Sequence, residues 1–151
     1  MRLQTPDASP KLAQRLQRST TASTAPGLGG TATVQGLAGT VAASSTYSQV
    51  VACAGSARLR VRIKTATATG TLNVKPIAPL AASPKDESAV AADGTIDPAK
   101  VTAYTTGTGT VSVSAGVEAN VDLDLYGENH VLVEFVCTLD GTITYCDVSQ
   151  V

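Results

Sequence analysis

The most constraining feature of the chain is the strict alternation of residues 57–64, A-R-L-R-V-R-I-K. Apolar residues occupy every second position, and cations occupy the positions between them: Arg58, Arg60, Arg62 and Lys64. Because successive side chains of a strand point to opposite faces, this pattern predicts a β-strand with one buried and one basic face. The stretch A-T-A-T-G then predicts a turn, and T-L-N-V-K-P-I predicts a returning strand. We therefore expect these two strands to form a hairpin.

Further segments show strand patterns separated by short turns: Y-S-Q-V-V-A-C, V-T-A-Y, T-V-S-V, N-V-D-L-D-L-Y, H-V-L-V-E-F-V-C and T-I-T-Y-C-D-V. The chain has no tryptophan, one phenylalanine and four tyrosines, so its core must be built from small apolar side chains. Residues 78–100 contain three prolines and predict one long loop. About eight strands at regular spacing predict an all-β fold, a β-sandwich of jelly-roll-like type, over residues 46–151.

Residues 1–45 differ from the rest and are predicted to form an extended N-terminal arm. A serine N-cap followed by proline predicts a short helix at residues 10–18, to which Lys11, Arg15 and Arg18 give positive charge. The Ser/Thr/Gly-rich stretch that follows is too small and polar to build a core alone. The alternative to an ordered arm is therefore a disordered tail.

The net charge of −1 hides an asymmetry between the two halves of the chain. Residues 1–64 carry eight cations and one acid, whereas residues 65–151 carry three cations and eleven acids. Such a polar molecule suits head-to-tail contact or docking on a charged lattice. Alternatively, basic and acidic strands pair inside one domain.

Two interpretations of the basic strand face are open. Its cations, with those of the arm, could bind an acidic partner surface through Lys11, Arg15, Arg18, Arg58, Arg60, Arg62 and Lys64. In the other interpretation the strand cations pair with acids that alternate in the same way, such as Asp122 and Asp124. Nucleic-acid binding is not expected, because no aromatic stacking platform interleaves with the basic residues.

The stretch C-T-L-D-G-T-I-T-Y-C, residues 137–146, predicts a closing hairpin around Asp140-Gly141. A three-residue turn keeps Ile143 and Tyr145 on the apolar face of the preceding strand, with Tyr145 opposite Phe135. Cys137 then points into the core and Cys146 to the other face, so the two cannot form a disulfide. Cys53 could still pair with either of them.

Patterns for catalysis, metal binding and membrane insertion are weak or missing. The chain has no nucleophile-elbow motif, and T-G-T-G-T lacks the third glycine of a nucleotide fingerprint. His130 is expected to be a structural or surface residue. Glu87, Asp93 and Asp97 could form a calcium-binding loop, but they match no EF-hand pattern. No apolar window approaches the length of a membrane span, and no secretory signal is evident. We expect no enzymatic activity, no metal and no cofactor.

Three stretches resemble small virion proteins of tailed bacteriophages, in particular the β-sandwich decoration (cement) proteins that coat the capsid. They are S-A-R-L-R-V-R-I-K-T-A-T-A-T-G-T-L-N-V-K-P-I, V-S-V-S-A-G-V-E-A-N-V-D-L-D-L-Y-G-E-N-H-V-L-V-E-F and D-G-T-I-T-Y-C-D-V-S-Q-V. The likeness covers residues 45–151. It consists of short strands that are rich in Thr and Gly. No residue-level site motif is shared within that group.

The resemblance implies a non-enzymatic protein that binds the major capsid protein, forms homo-oligomers (dimers or trimers) and belongs to virions assembled in the host cytoplasm. A neck, tail or fibre-anchoring virion protein is the first alternative. A carbohydrate-binding β-sandwich module is the second, although such modules usually expose several aromatic side chains.

Overall fold

The computed structural model describes residues 31–34, 36–53, 56–77, 89–90 and 96–151. Within these ranges the chain forms nine β-strands and one short 3-10 turn, Pro98–Lys100. The strands are β1 (Thr31–Thr33), β2 (Gly39–Val41), β3 (Thr46–Ala52), β4 (Arg58–Thr65), β5 (Thr69–Pro76), β6 (Gly109–Val113), β7 (Glu118–Asp124), β8 (His130–Leu139) and β9 (Gly141–Gln150).

The strands form two antiparallel sheets. The first sheet has the order β1-β9-β4-β7, and β2 pairs with β9 on the same side as β1. Because β1 pairs with residues 147–149 and β2 with residues 141–143, they act as one interrupted edge strand. The second sheet has the order β3-β8-β5-β6.

The pairing is nested along the chain. The interrupted first strand pairs with β9, β3 pairs with β8, β4 with β7, and β5 with β6. The neighbours β4–β9 and β5–β8 join these four ribbons into the two sheets. Nested pairing of eight strands across two sheets is the jelly-roll arrangement, so the predicted all-β, jelly-roll sandwich is confirmed.

The main core lies between the two sheets. As the alternation of β4 predicts, Leu59, Val61 and Ile63 are fully buried, and Phe135 of β8 is the largest side chain enclosed with them. Half of the other core residues are valines, whose branched side chains suit a half-buried pleated surface. A continuous core therefore forms although the chain has few aromatic residues. It is built from small apolar side chains, as the composition indicated.

A second apolar cluster lies on the outer face of the second sheet. Val50 of β3 and Leu132 of β8 pack there against Ile77, Val90 and Ile96. Ile77, Val90 and Ile96 thus cover one part of the sheet. Val90 and Ile96 belong to residues 78–100, which the sequence predicted only as a loop.

Part of the predicted N-terminal arm is built into the sandwich. β1 and β2 fall within residues 1–45 and pair with β9 in the first sheet. Val34 and Leu37 between them are fully buried, and the Val34 amide donates to the Cys146 carbonyl at 2.8 Å. The predicted helix at residues 10–18 lies outside the described residues.

Two predicted hairpins are wrong. β4 and β5 follow one another in sequence but belong to different sheets, and the same holds for β8 and β9. Phe135 therefore lies opposite Tyr47 and Leu72, and not opposite Tyr145. The physical reason is that alternation fixes which side chains face the core. It does not fix whether the chain returns in the same sheet or crosses to the opposite one.

The predicted orientation of Cys146 is also wrong. Lys64 pairs with Tyr145 but the next residue, Thr65, pairs with Ile143, so Thr144 is an extra residue in β9. Such a bulge reverses the alternation beyond it. Ile143 and Cys146 consequently both face the core, and Tyr145 faces outward.

Candidate functional site: the charged face of the first sheet

The four cations of β4 lie on the outer face of the first sheet. β4 is a central strand, with the acidic strand β7 on one side and β9 on the other. Arg58 and Arg60 contact carboxylates of β7, and Arg62 contacts carboxylates of both neighbours. The facing acids are Glu118, Asp122, Asp124 and Asp147.

Arg60 makes a two-point contact with Asp122 across the β4–β7 pair. Its Nε and Nη2 atoms donate to the two carboxylate oxygens at 2.6 and 2.8 Å. This hydrogen bonding lowers the pKa of Asp122 below its ordinary value of 3.8. Arg58 adds longer contacts, to Asp122 at 3.7 Å and to Asp124 at 3.3 Å.

Arg62 makes the equivalent two-point contact on the other side of β4. Its Nε and Nη2 atoms donate to Asp147 of β9 at 2.9 and 2.8 Å. The guanidinium carbon lies 5.7 Å from the centre of the Tyr145 ring, within range of a cation–π contact. The Tyr145 hydroxyl donates to Glu118, which raises the pKa of Tyr145. The outward turn of Tyr145 after the bulge thus completes a linked cluster across three strands.

Lys64 lies opposite Glu118 in register and makes no ion pair with a residue that the structure describes. Even so, four cations and four carboxylates share this face, so it carries little net charge. The structure places Arg58, Arg60 and Arg62 as the salt-paired interpretation predicts. A role of these residues in partner binding stays a prediction, and Lys11, Arg15 and Arg18 lie outside the described residues.

The three cysteines are free and buried. Burial, reinforced by the nearby Glu128 carboxylate, raises the pKa of Cys53 to about 12, and burial also raises the pKa of Cys146. Cys137 and Cys146 face the same core from different sheets. The two thiols are free, so no Cys137–Cys146 bridge is present, although the opposite-face geometry from which the sequence analysis predicted this is wrong.

Of the other candidate residues, the structure describes His130 and Asp97, and it does not bring these two together as a reactive site. His130 is buried at the start of β8. The Asp97 carboxylate accepts from the Ala99 amide at 2.9 Å and so caps the 3-10 turn. Glu87 and Asp93 lie outside the described residues. No group of three or more His, Cys, Asp or Glu side chains is arranged for a metal within the described ranges.

One pocket, which no sequence pattern predicted, lies at the end of the sandwich where β8 begins. Its volume is about 160 Å³, and the residues lining it are Ile77, Tyr104, Tyr126, Gly127, Glu128 and Asn129. Tyr126 is 84% exposed and Tyr104 is 41% exposed. The Tyr126-Gly127 pair, an aromatic residue at a glycine turn, is the one sequence signal that could have marked it.

No family model matches the chain, and no curated protein matches its sequence. None of the helical structure in the described part of the chain is long and apolar enough to cross a membrane.

Proposed function

We propose that the chain is a non-enzymatic virion structural protein that decorates a phage head by binding the major capsid protein. The observation that carries the proposal is the division of charge between the arm and the sandwich. Residues 1–30 contain four cations and one acid, whereas residues 31–151 contain seven cations and eleven acids. A basic extension on an acidic body suits attachment to a lattice of charged subunits.

The ion pairs of β4 indicate which cations are available to bind an acidic partner. Arg58, Arg60 and Arg62 already contact carboxylates of the same chain, so an acidic partner would have to compete with those carboxylates. Releasing a two-point arginine–carboxylate pair and leaving a carboxylate unpaired opposes such binding. We therefore assign the main electrostatic contact to Lys11, Arg15 and Arg18.

The point at which the arm joins the body fits this role. Residues 1–30 connect directly to β1, which pairs only with β9 among the described strands and so lies at a sheet edge. A segment joined there can extend toward a neighbouring molecule without crossing the body. Arm and sandwich then contact different neighbours, and many weak contacts over a lattice give strong overall attachment.

The fold is compatible with the proposal, since jelly-roll domains are common in viral capsids and lectins. The resemblance of residues 45–151 to decoration proteins points in the same direction. A neck, tail or fibre-anchoring position is the alternative within the virion. It predicts a few copies arranged in a ring, whereas decoration predicts copies distributed over the whole head.

The test is binding to capsids that lack the chain, followed by co-sedimentation at increasing salt. The variant Lys11→Ser/Arg15→Ser/Arg18→Ser should lose most binding and most of the salt dependence. The matched control, Lys75→Ser/Lys85→Ser/Lys100→Ser, removes the same charge from the body and should bind nearly as the wild type does. Equal loss of capsid binding in both variants would show that binding depends on net charge and not on the position of the cations. Unchanged binding of the arm variant would refute the assignment to Lys11, Arg15 and Arg18.

Imaging of whole virions by cryo-electron microscopy separates the head from the other positions. Density for the sandwich repeated over the capsid lattice supports decoration. Density confined to the neck or tail supports the alternative, and no density on the particle overturns both.

A further inference from the structure

We propose that the pocket between Tyr104 and Tyr126 binds a single neutral saccharide ring. This activity is separate from the proposed attachment to the capsid, and it requires none of the arm residues. The ring would stack on a tyrosine face while its hydroxyl groups bond to Glu128 and Asn129.

The aromatic side chains of the pocket provide a surface on which a sugar ring can stack. Of the four tyrosines in the chain, the two most exposed are Tyr104 and Tyr126, and both line this one pocket. Exposing a tyrosine ring leaves apolar area in contact with water, which is unfavourable unless a ligand covers it. Ile77 adds an apolar floor to the same pocket. Aliphatic C–H groups on one face of a sugar ring can cover such a surface.

The polar groups of the pocket, Glu128 and Asn129, can bind the hydroxyl groups of the ligand. One Glu128 carboxylate oxygen accepts from the Tyr126 amide at 2.5 Å, which fixes the position of the carboxylate beside the ring. A carboxylate has further acceptor sites for ligand hydroxyl groups. The carboxamide of Asn129, an exposed lining residue, offers a donor and an acceptor. Paired acceptors and donors of this kind match neighbouring hydroxyl groups.

The framework around the pocket is held in place without a ligand. The Cys53 amide donates to the Asn129 carbonyl at 2.8 Å, and the Cys53 thiol donates to the Glu128 carbonyl at 3.4 Å. On the other wall, the Tyr104 amide donates to the Pro76 carbonyl at 2.8 Å. A preformed site loses less conformational entropy when it binds a ligand.

Size and charge define the ligand class. A pocket of about 160 Å³ is smaller than the cavities of ~300–1,000 Å³ that enclose drug-sized ligands. It therefore suits one ring, such as a terminal or branch sugar of a longer glycan. The Glu128 carboxylate would repel a uronic acid, so we expect neutral sugars to bind and acidic sugars not to bind.

The test is a titration of the ¹⁵N-labelled full-length chain followed by backbone NMR. Glucose, galactose, mannose and N-acetylglucosamine are the probes, and galacturonic acid is the acidic control. At least one neutral sugar should shift the amide signals of Gly127 and Asn129 in a saturable way, and galacturonic acid should not. If no neutral sugar does so, or if galacturonic acid binds equally well, the inference is overturned.

Variants locate the binding. Tyr126→Ala should weaken binding about tenfold, whereas Tyr126→Phe, which keeps the stacking ring, should retain most of it. Leu139→Ala removes an exposed apolar side chain at the far end of β8 and should bind as the wild type does. Equal affinity of Tyr126→Ala and the wild type would refute the site. Capsid binding by Tyr126→Ala should be unchanged, so failure of one proposal leaves the other intact.

Discussion

Gly141 lies directly against the backbone nitrogen of Ala68, with no space between them for a side chain. A Cβ atom at Gly141 would overlap that nitrogen and would lie 2.7 Å from the carbonyl carbon of Thr67. Thr67 and Ala68 belong to the connection from β4 to β5, and Gly141 is the first residue of β9, directly after the connection from β8. Both connections cross between the sheets. The Ala66 amide also donates to the Thr142 carbonyl at 2.8 Å, so the two crossings support each other.

Gly141→Ala should therefore destabilise the fold by about 1–3 kcal/mol, because the backbone of one crossing must move to admit the methyl group. Urea unfolding followed by circular dichroism measures the change. Thr142→Ala alters an exposed neighbour and should change stability by less than about 0.5 kcal/mol. Equal stability of Gly141→Ala and the wild type would contradict the packing of the two crossings.

Leu37 tests whether the described part of the predicted arm belongs to the core. Its side chain is fully buried between β1 and β2. Leu37→Ala should lower the free energy of unfolding by about 2–5 kcal/mol, since it leaves a cavity beneath the first sheet. Ala38→Ser, at the exposed next residue, is the control and should have little effect. If both variants unfold at the same urea concentration, this segment does not contribute to the core.

The strands and their buried faces were largely predictable from the sequence, because period-two alternation reports burial directly. For β4 it identified both the apolar face, with Leu59, Val61 and Ile63, and the outward cations. Which strands pair with one another was not predictable in the same way. The Asp140-Gly141 turn signal is real, but the same signal serves a hairpin and a crossing between sheets.

The site was predictable only in part. Alternation of acids in β7 correctly indicated Asp122 and Asp124 as partners of the β4 cations. Asp147 and Tyr145 were missed, because the extra residue Thr144 changes which side chains of β9 face outward. The pocket at Tyr126 was missed for another reason. Four of its lining residues are consecutive, 126–129, but Ile77 and Tyr104, which complete it, are distant in sequence and join them only in the folded chain.

The Arg60–Asp122 pair predicts a component of acid sensitivity. Arg60 lowers the pKa of Asp122 in the folded chain below its ordinary value of 3.8. The stability that this difference contributes is complete above that value, and it is lost as the pH falls through the lower pKa of the folded state. Asp122→Asn should therefore flatten the fall in unfolding free energy below about pH 4.

Arg60→Gln is the reciprocal variant and should flatten the same part of the profile, because Asp122 then loses its main partner. Added salt should weaken the effect in the wild type, since both side chains are partly exposed. Urea unfolding at a series of pH values measures all three profiles. If Arg60→Gln keeps the full wild-type slope, the acid sensitivity arises elsewhere in the chain.

The buried thiols predict resistance of the folded chain to thiol reagents. Because the thiolate is the reactive form, the raised pKa of Cys53, about 12, leaves it almost wholly protonated at pH 8. Cys137 and Cys146 are enclosed in the same core, so reagents cannot approach them without unfolding. Native protein should release almost no thionitrobenzoate from Ellman's reagent, whereas protein in guanidinium should react at all three cysteines. Cys53→Ser should lower the denatured count to two and leave the native result unchanged. Rapid labelling of the native wild type that disappears in Cys53→Ser would show that the β3–β4 connection opens and that Cys53 is accessible in solution.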